Sequence, residues 1–184
     1  MADVIFLDSS EQRLLLKDSS CAFGVFDGVH RGHRFLIDQA LRVGRECAGK
    51  VVVLTFDIDP DEIFHPDRLH KLLGNAERLE KLARTGVDAV AVLRFTRAFA
   101  SLSPEEFLAS TFDGCEPAAL HVGRDIRFGN RASGTLETLE EWGAARGVRV
   151  FGHDLLLADG NPITATRIRL LLEEGHSEDA RALL

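Results

Sequence analysis

The sequence lacks the features that mark several large classes of protein. Its cysteines, Cys21, Cys47 and Cys115, are far apart and form no CxxC pair, so we expect reduced thiols and neither a disulfide framework nor a zinc site. No apolar run approaches the length that spans a bilayer, and the first residues lack the basic region and long apolar stretch of a signal peptide. These absences predict a cytoplasmic protein with no membrane partner.

Positive charge is also scarce, since 22 lysines and arginines stand against 29 aspartates and glutamates, giving a formal net charge of −7. Non-specific binding to nucleic acid needs a basic surface, so we expect no nucleic-acid partner. A few local cations can still hold a phosphate in an acidic protein, so nucleotide binding stays open. With 184 residues and no repeat or low-complexity tract, the chain is predicted to form one domain over residues 1–184. The sequence indicates no particular oligomeric state.

Short apolar runs alternate with helical stretches along the chain. Residues 21–26 form the first strong run, residues 27–32 form a polar loop, and apolar positions at helical spacing then continue to about Cys47. This order predicts an α/β fold, a Rossmann-like, doubly wound parallel sheet with helices on both faces. Further strands are predicted at residues 50–56, 89–94, 118–122 and 148–151, and further helices at residues 75–85, 103–111, 135–145, 164–174 and 177–184.

The loop after the first strand holds the first candidate site, because ligands bind beyond the carboxyl ends of the strands in such sheets. Gly28 and Gly32 let the backbone approach a ligand, and the first turn of the next helix offers unpaired N–H groups to an anion. His30 and His33 lie three residues apart and can face one place, which suits a phosphoryl-type transition state. As an isolated match, HxGH is weak, and one histidine could equally cap the helix while the other lies on the surface.

Two further motifs sit near predicted helix or strand ends. Thr164 is a plausible N-cap, and Arg167 and Arg169 could join the helix N–H groups around a phosphate or form a solvated basic face. After a strand, Asp125 could bind magnesium or a ribose hydroxyl and Arg127 a phosphate, although an Asp–Arg turn would look the same. The segment 57–72 is irregular and long for a strand–helix connection, as functional loops often are.

Together these motifs resemble those of one family. Residues 24–33 are similar to the GxFDGxHxGH signature of the bacterial FAD synthetases, the adenylyltransferase module of the bifunctional riboflavin kinase/FMN adenylyltransferases. HxGH alone would indicate only the wider nucleotidyltransferase superfamily, but FAxLSPEEF at 99–107 and VGxDxRFG at 122–129 are much narrower. The similarity runs in order along nearly the whole chain.

The resemblance implies transfer of AMP from ATP to the phosphate of FMN, with Mg²⁺, to give FAD and pyrophosphate by direct in-line attack. It implies catalytic roles for His30, His33 and Arg169, and a place for Asp125 near the metal. The ATP site that it implies comprises Gly24, Phe26, Asp27, Gly28, His30, Gly32, His33, Gly123, Asp125, Arg127, Thr164, Thr166 and Arg169. The FMN side that it implies comprises Thr55, Asp57, Asp59 and Phe128.

Three departures from the family pattern leave alternatives open. Asp59 stands where the family has a histidine, which is unfavourable beside phosphates, and His65 is a candidate replacement. Ala165 replaces a serine and so removes one hydroxyl donor. Because the family usually continues into a kinase domain after the position of Leu184, we expect no riboflavin kinase activity. The alternatives are a nucleotidyltransferase with another phosphate acceptor and a degenerate module that binds nucleotide or flavin without turnover.

Overall fold

A six-stranded parallel sheet forms the centre of the protein in the computed structural model, which describes residues 1–47, 49–67 and 70–184. The strand order is β1-β4-β3-β2-β5-β6, and every neighbouring pair is parallel. The order changes direction between β2 and β5, which makes their carboxyl ends the switch point of the sheet. The strands are β1 (Asp3–Phe6), β2 (Ser20–Phe23), β3 (Val51–Phe56), β4 (Ala89–Leu93), β5 (Ala119–Gly123) and β6 (Arg149–His153).

Helices cover both faces of this sheet, and a short antiparallel hairpin of β7 (Leu157–Ala158) and β8 (Asn161–Pro162) precedes the last two helices. Among the described residues, no helix combines the length and the apolar character needed to cross a membrane. The helices are α1 (Ser10–Arg13), α2 (Arg31–Glu46), α3 (Asp61–Phe64), α4 (Asn75–Ala83), α5 (Arg97–Ala100), α6 (Pro104–Phe112), α7 (Leu136–Arg146), α8 (Ala165–Glu173) and α9 (Ser177–Leu183).

The central strands are buried on both faces, as their continuous apolar runs predict. In β3, Val52, Leu54 and Phe56 join the core cluster under α6 and α7, while Val51 and Val53 join the cluster under α2 and α4. Side chains alternate across a strand, so this double burial requires apolar residues at successive positions. The predicted Rossmann-like, doubly wound α/β fold is confirmed.

The predicted first strand, residues 21–26, is wrong at its carboxyl end. The strand β2 ends at Phe23, and the chain leaves the sheet through Gly24 and Val25 to Phe26, whose backbone is left-handed with φ 61°. The Phe26 side chain is nevertheless buried, so its apolar character extended the predicted strand. The other predicted bounds agree with the structure to within two residues, but β1, α1, α3, α5 and the β7–β8 hairpin were not predicted.

Candidate functional site

A cleft of about 470 Å³ lies at the carboxyl ends of the strands, around the switch point between β2 and β5. The amino ends of α2 and α8 both reach it, so two sets of unpaired N–H groups and two positive dipole ends converge there. The structure thereby brings together most of the sequence-predicted ATP-site residues. Those that line the cleft are Gly24, Phe26, Asp27, His30, Gly32, His33, Gly123, Asp125, Arg127, Thr164 and Arg169.

His30 is both the N-cap of α2 and a lining residue of the cleft. Its backbone is extended, with φ −69° and ψ 171°, and its Nδ1 accepts a hydrogen bond from the His33 N–H at 3.3 Å. Because Nδ1 is the acceptor, the neutral ring carries its proton on Nε2. The sequence offered capping and ligand contact as alternatives for this residue, and the two are compatible here. His30 therefore has a fixed tautomer with one N–H donor left over.

His33 stacks on His30, with ring centroids 3.5 Å apart and planes 17° apart. Its ring also makes a T-shaped contact with Phe26 at a centroid distance of 5.2 Å, so packing holds the imidazole from two directions. Its Nδ1 is buried and has no hydrogen-bond partner among the described residues. A buried polar atom without a partner is unfavourable, so a ligand that supplied one would bind more tightly for it.

Both histidines are neutral in the ligand-free protein. Burial lowers the pKa of His30 to about 4, against a smaller opposing effect of Asp27. Burial also holds the pKa of His33 well below its usual value, and His30 and Arg78 lower it further. An arriving anion would favour the protonated rings, since opposite charge stabilises the charged form.

Asp27 and Arg169 form a largely buried ion pair across the cleft wall, with Arg169 Nη2 2.6 Å from Asp27 Oδ2. Both oxygens of Asp27 also accept from the Leu72 N–H at 3.2 Å, and Arg169 Nε donates to the His70 carbonyl. Asp27 is thus occupied by protein contacts, and it fixes the position of the guanidinium at the start of α8.

The two arginines of α8 are used differently. Arg167 donates to the carbonyls of Ala158, Asn161 and Pro162, and so secures the β7–β8 hairpin away from the cleft. Thr164 accepts from the Arg167 N–H at 3.1 Å, which confirms it as the N-cap. Thr166 is exposed, and neither it nor Gly28 is among the residues that line the cleft.

Three of the four predicted FMN-side residues are not among the residues that line the cleft, and each makes contacts with other protein groups. The Thr55 hydroxyl donates to the Val25 carbonyl, Asp57 Oδ1 accepts from the Phe95 and Ile58 N–H groups, and Phe128 packs on Phe107 in the core. The structure therefore does not bring these side chains to the cleft, because they are engaged in hydrogen bonds and packing at strand ends and turns.

Asp59 is the fourth of these residues, and it is buried and lines the cleft. Burial raises the pKa of this carboxyl; its hydrogen bond from the Asp61 N–H opposes that shift, and the charges of Asp61 and Asp27 add to it. His65, the candidate replacement for the missing histidine, is exposed and does not line the cleft, but it lies 3.1 Å from Asp61, which does. The segment 57–72 includes residues 68 and 69, which lie outside the described residues.

Arg78 is a functional candidate that sequence reasoning missed. Only 2% of it is exposed, and its guanidinium donates to the Val25 and Phe56 carbonyls and to Thr55 Oγ1 at 2.7 to 2.8 Å. Burial lowers its pKa, and nearby carboxylates, Asp59 first, oppose that shift. The residue ties the carboxyl ends of β2 and β3 together and puts positive charge behind the histidine pair. An arginine in the middle of an amphipathic helix carries no sequence signal of burial.

Comparison with known proteins decides the family. The sequence profile described as FAD synthetase matches residues 13–167, which is most of the chain. The chain belongs to the FAD synthetase family. A solved Streptococcus pneumoniae structure, described as a macrolide-efflux protein, aligns with 100% of this chain over 70% of its own chain. The TM-score is 0.83 and the sequence identity is 30%.

Curated relatives agree with this assignment. A Listeria monocytogenes bifunctional riboflavin kinase/FMN adenylyltransferase is 33% identical over 165 residues, which are 89% of this chain and 52% of the relative. A Geobacillus thermodenitrificans protein named for the same two activities is 32% identical over 175 residues, 95% of this chain and 94% of that protein. The chain thus spans about half the length of the first relative and nearly all of the second.

Asp125 is the cleft residue for which the sequence predicts a metal. The described residues contain no group of three or more histidines, cysteines, aspartates or glutamates arranged to bind an ion. Asp125 is exposed and stands at the cleft without such a cluster. Mg²⁺ is commonly held by one or two carboxylates together with substrate phosphates, so a single carboxylate fits Mg²⁺ where a ligand brings phosphates beside it.

His121 lies in β5 and is 1% exposed, and its burial should make the stability of the fold sensitive to acid. Burial lowers its pKa to about 4, and His153, Arg149 and Arg42 add to this. In the unfolded chain the pKa of this histidine is near 6.5, so the unfolded state binds the proton more readily than the folded state does. Stability is therefore lost as the pH falls from 6.5 through 4. We expect His121→Val to lose about 2 kcal/mol less unfolding free energy than the parent between pH 7 and pH 5.

Urea unfolding at pH 7, 6 and 5 measures this difference. The matched control is His176→Gln, which removes an exposed histidine and should follow the parent. Parallel pH dependences for the parent and His121→Val would contradict the assignment.

Proposed function

We propose that this chain transfers the adenylyl group of ATP to the phosphate of FMN, giving FAD and pyrophosphate. The observation that carries the proposal is the stacked His30–His33 pair at the amino end of α2, in one cleft with Arg169 and the amino end of α8. Neutral N–H donors, backbone N–H groups and a fixed guanidinium together suit a polyphosphate. Membership of the FAD synthetase family supports the choice of ATP and FMN.

The chemistry is a direct displacement at the α-phosphorus of ATP. An oxygen of the FMN phosphate forms the new P–O bond as the bond to pyrophosphate breaks, and pyrophosphate leaves with the bonding electron pair. The FMN phosphate is already ionised at neutral pH, since its second pKa is about 6, so the protein need not remove a proton. His30 and His33 donate to the non-bridging oxygens, where charge builds, and Arg169 and the helix N–H groups hold the rest of the triphosphate.

The acceptor would enter from the β3 side of the cleft, where Asp59 lies. Magnesium, which Asp125 would help to hold, would supply charge neutralisation of the phosphates when bound. The three free cysteines favour a reducing compartment such as the cytoplasm for this activity.

The test is to incubate the purified chain with FMN, ATP and Mg²⁺ and to follow FAD by chromatography and pyrophosphate by a coupled assay. We expect the two products in equal amounts. Tight binding of ATP and FMN without FAD would instead identify a degenerate binding module.

A second candidate, transfer to a different phosphate acceptor, is favoured by Asp59 alone. Asp59 is buried in the cleft lining where the family has a histidine, so the contacts offered to the acceptor differ from the family pattern. Pyrophosphate release with another phosphate ester, and none with FMN, would select this alternative.

A further inference from the structure

A chain of hydrogen bonds connects the protein interior to the cleft on the side away from Asp59. Ser20 Oγ lies 3.3 Å from Nε2 of the buried His121, and His121 Nδ1 lies 3.0 Å from Nε2 of His153. His153 is half-buried, ends β6 and lines the cleft. The function proposed above uses none of these three residues.

The direction of every hydrogen bond in this chain follows from one fixed contact. The Ser20 hydroxyl donates to the Ala40 carbonyl at 2.8 Å, so its oxygen accepts from His121 Nε2–H. The Nδ1 of neutral His121 then carries no proton, and it accepts a hydrogen bond from His153 Nε2–H. The Nδ1 of neutral His153 consequently carries no proton and is a hydrogen-bond acceptor.

The neutral forms are the ones present near pH 7. Burial lowers the pKa of His153, and Arg42 and Arg124 lower it further against a smaller effect of Asp154. Reversing the tautomers would leave two lone pairs facing each other or take the Ser20 hydrogen from the Ala40 carbonyl, which is unfavourable in a buried site. The interior of the protein thus dictates that His153 presents an acceptor.

That acceptor is open to a ligand. His153 Nδ1 has no hydrogen-bond partner among the described residues, and it is not one of their buried unpartnered atoms, so it reaches solvent. On this side of the cleft, Gly123, Phe35, Leu155 and Leu156 offer apolar contacts to a flat heterocycle, and the carboxylates of Asp125 and Asp154 also belong to the lining.

The distance from the phosphate end suits a nucleotide. β6 lies two strands from β2, whose end carries the histidine pair, and two strand spacings are about 10 Å. A ribose fits between a base at β6 and an α-phosphate at β2. The base side and the Asp59 side therefore lie on opposite sides of the reacting phosphorus.

We propose that His153 determines the base specificity of the nucleotide donor, with its Nδ1 accepting a hydrogen bond from the exocyclic amino group of adenine. A purine with a carbonyl oxygen at that position would set acceptor against acceptor. The inference rests on the proposed function only in taking ATP as the donor.

Three nucleotides that differ at this one group test the inference: ATP, purine riboside triphosphate, which carries hydrogen there, and inosine triphosphate, which carries oxygen. For the parent we expect kcat/KM to fall about 10-fold on losing the amino group and about 10-fold more on gaining the carbonyl. In His153→Gln, whose amide can turn to donate or accept, we expect the ATP-to-inosine-triphosphate ratio to shrink at least about 10-fold. Equal ratios in parent and variant would overturn the proposal.

A second variant acts without touching the cleft. Ser20→Ala removes the contact that fixes the tautomers, so the same ratio should shrink while the His153 ring stays in place. Ratios taken within one variant cancel any general loss of folded protein. His176→Gln, an exposed histidine, should keep the parental ratio.

Two readouts separate this inference from the proposed function. Calorimetric Kd values for the three nucleotides test His153 even if no FAD forms, in which case only the proposed function fails. Nitrogen-15 NMR of the histidine rings should show His153 protonated on Nε2 with a bare Nδ1. A proton on Nδ1 in the free protein would overturn the inference whatever the activity.

Discussion

His33→Ala is expected to lower kcat for FAD formation about 100- to 1,000-fold, or roughly 2.7–4 kcal/mol in the barrier, as the loss of one preorganised donor does elsewhere. The imidazole is held by its stack on His30 and its T-shaped contact with Phe26, so it needs no reorganisation when charge builds on the non-bridging phosphate oxygens. Its ring is neutral before the substrate arrives, and its protonation is favoured as negative charge builds. The measurement is steady-state turnover at saturating ATP and FMN.

KM should change much less than kcat, because the loss of an interaction made chiefly in the transition state lowers kcat and kcat/KM by the same factor. Urea unfolding of the variant checks that the fold survives, and His176→Ala serves as a surface histidine control. Near-parental turnover in His33→Ala would remove the histidine pair from the mechanism.

Arg78→Met is expected to lower the free energy of unfolding by on the order of 3 kcal/mol, because it leaves buried acceptors without a donor. The acceptors are the Val25 and Phe56 carbonyls and Thr55 Oγ1, at the ends of the two strands that carry the cleft floor. Arg78→Lys keeps the charge but not the planar fork, so its loss should be intermediate. Urea unfolding curves at pH 7 measure both changes.

The matched control for Arg78 is Arg84→Met at the C-cap of the same helix, α4. Arg84 is exposed and pairs with Glu80 one turn away, a contact worth about 0.3–0.5 kcal/mol. If Arg78→Met unfolded within about 0.5 kcal/mol of the parent, the buried guanidinium would have no structural role.

The strands were predictable where burial on both faces of the sheet requires apolar residues at successive positions. In β3, five of the successive positions from Val51 to Phe56 are apolar because each faces one of two cores. The edge strand β1 pairs only with β4 and has exposed positions, so its four residues carry no such pattern. The end of β2 was misjudged because Phe26 is apolar and buried but lies in a left-handed turn, which burial alone does not reveal.

The site was predictable where a motif fixes backbone geometry. HxGH places a cap and a helix start together, and Gly32 admits the close approach, since a Cβ there would lie 3.2 Å from the His30 ring and the Ile163 carbonyl. Arg167 and Arg169 are only two positions apart, yet about 200° apart around α8, so one secures a hairpin and the other lies at the cleft.

Long-range partners were not predictable from the sequence. The contact of Asp27 with Arg169 joins residues 142 positions apart, and that of Ser20 with His121 joins residues 101 positions apart. Such pairs depend on the order of the strands, which brings β5 beside β2. A pattern of residue types along one segment contains no information about them.

The most direct test is a crystal structure of the chain with the non-hydrolysable analogue α,β-methylene-ATP. We expect an oxygen on the α-phosphorus about 3 Å from a ring nitrogen of His30 or His33, with the remaining phosphonate and phosphate groups between the starts of α2 and α8. An analogue bound with its phosphates elsewhere, and both imidazoles free of them, would contradict the account.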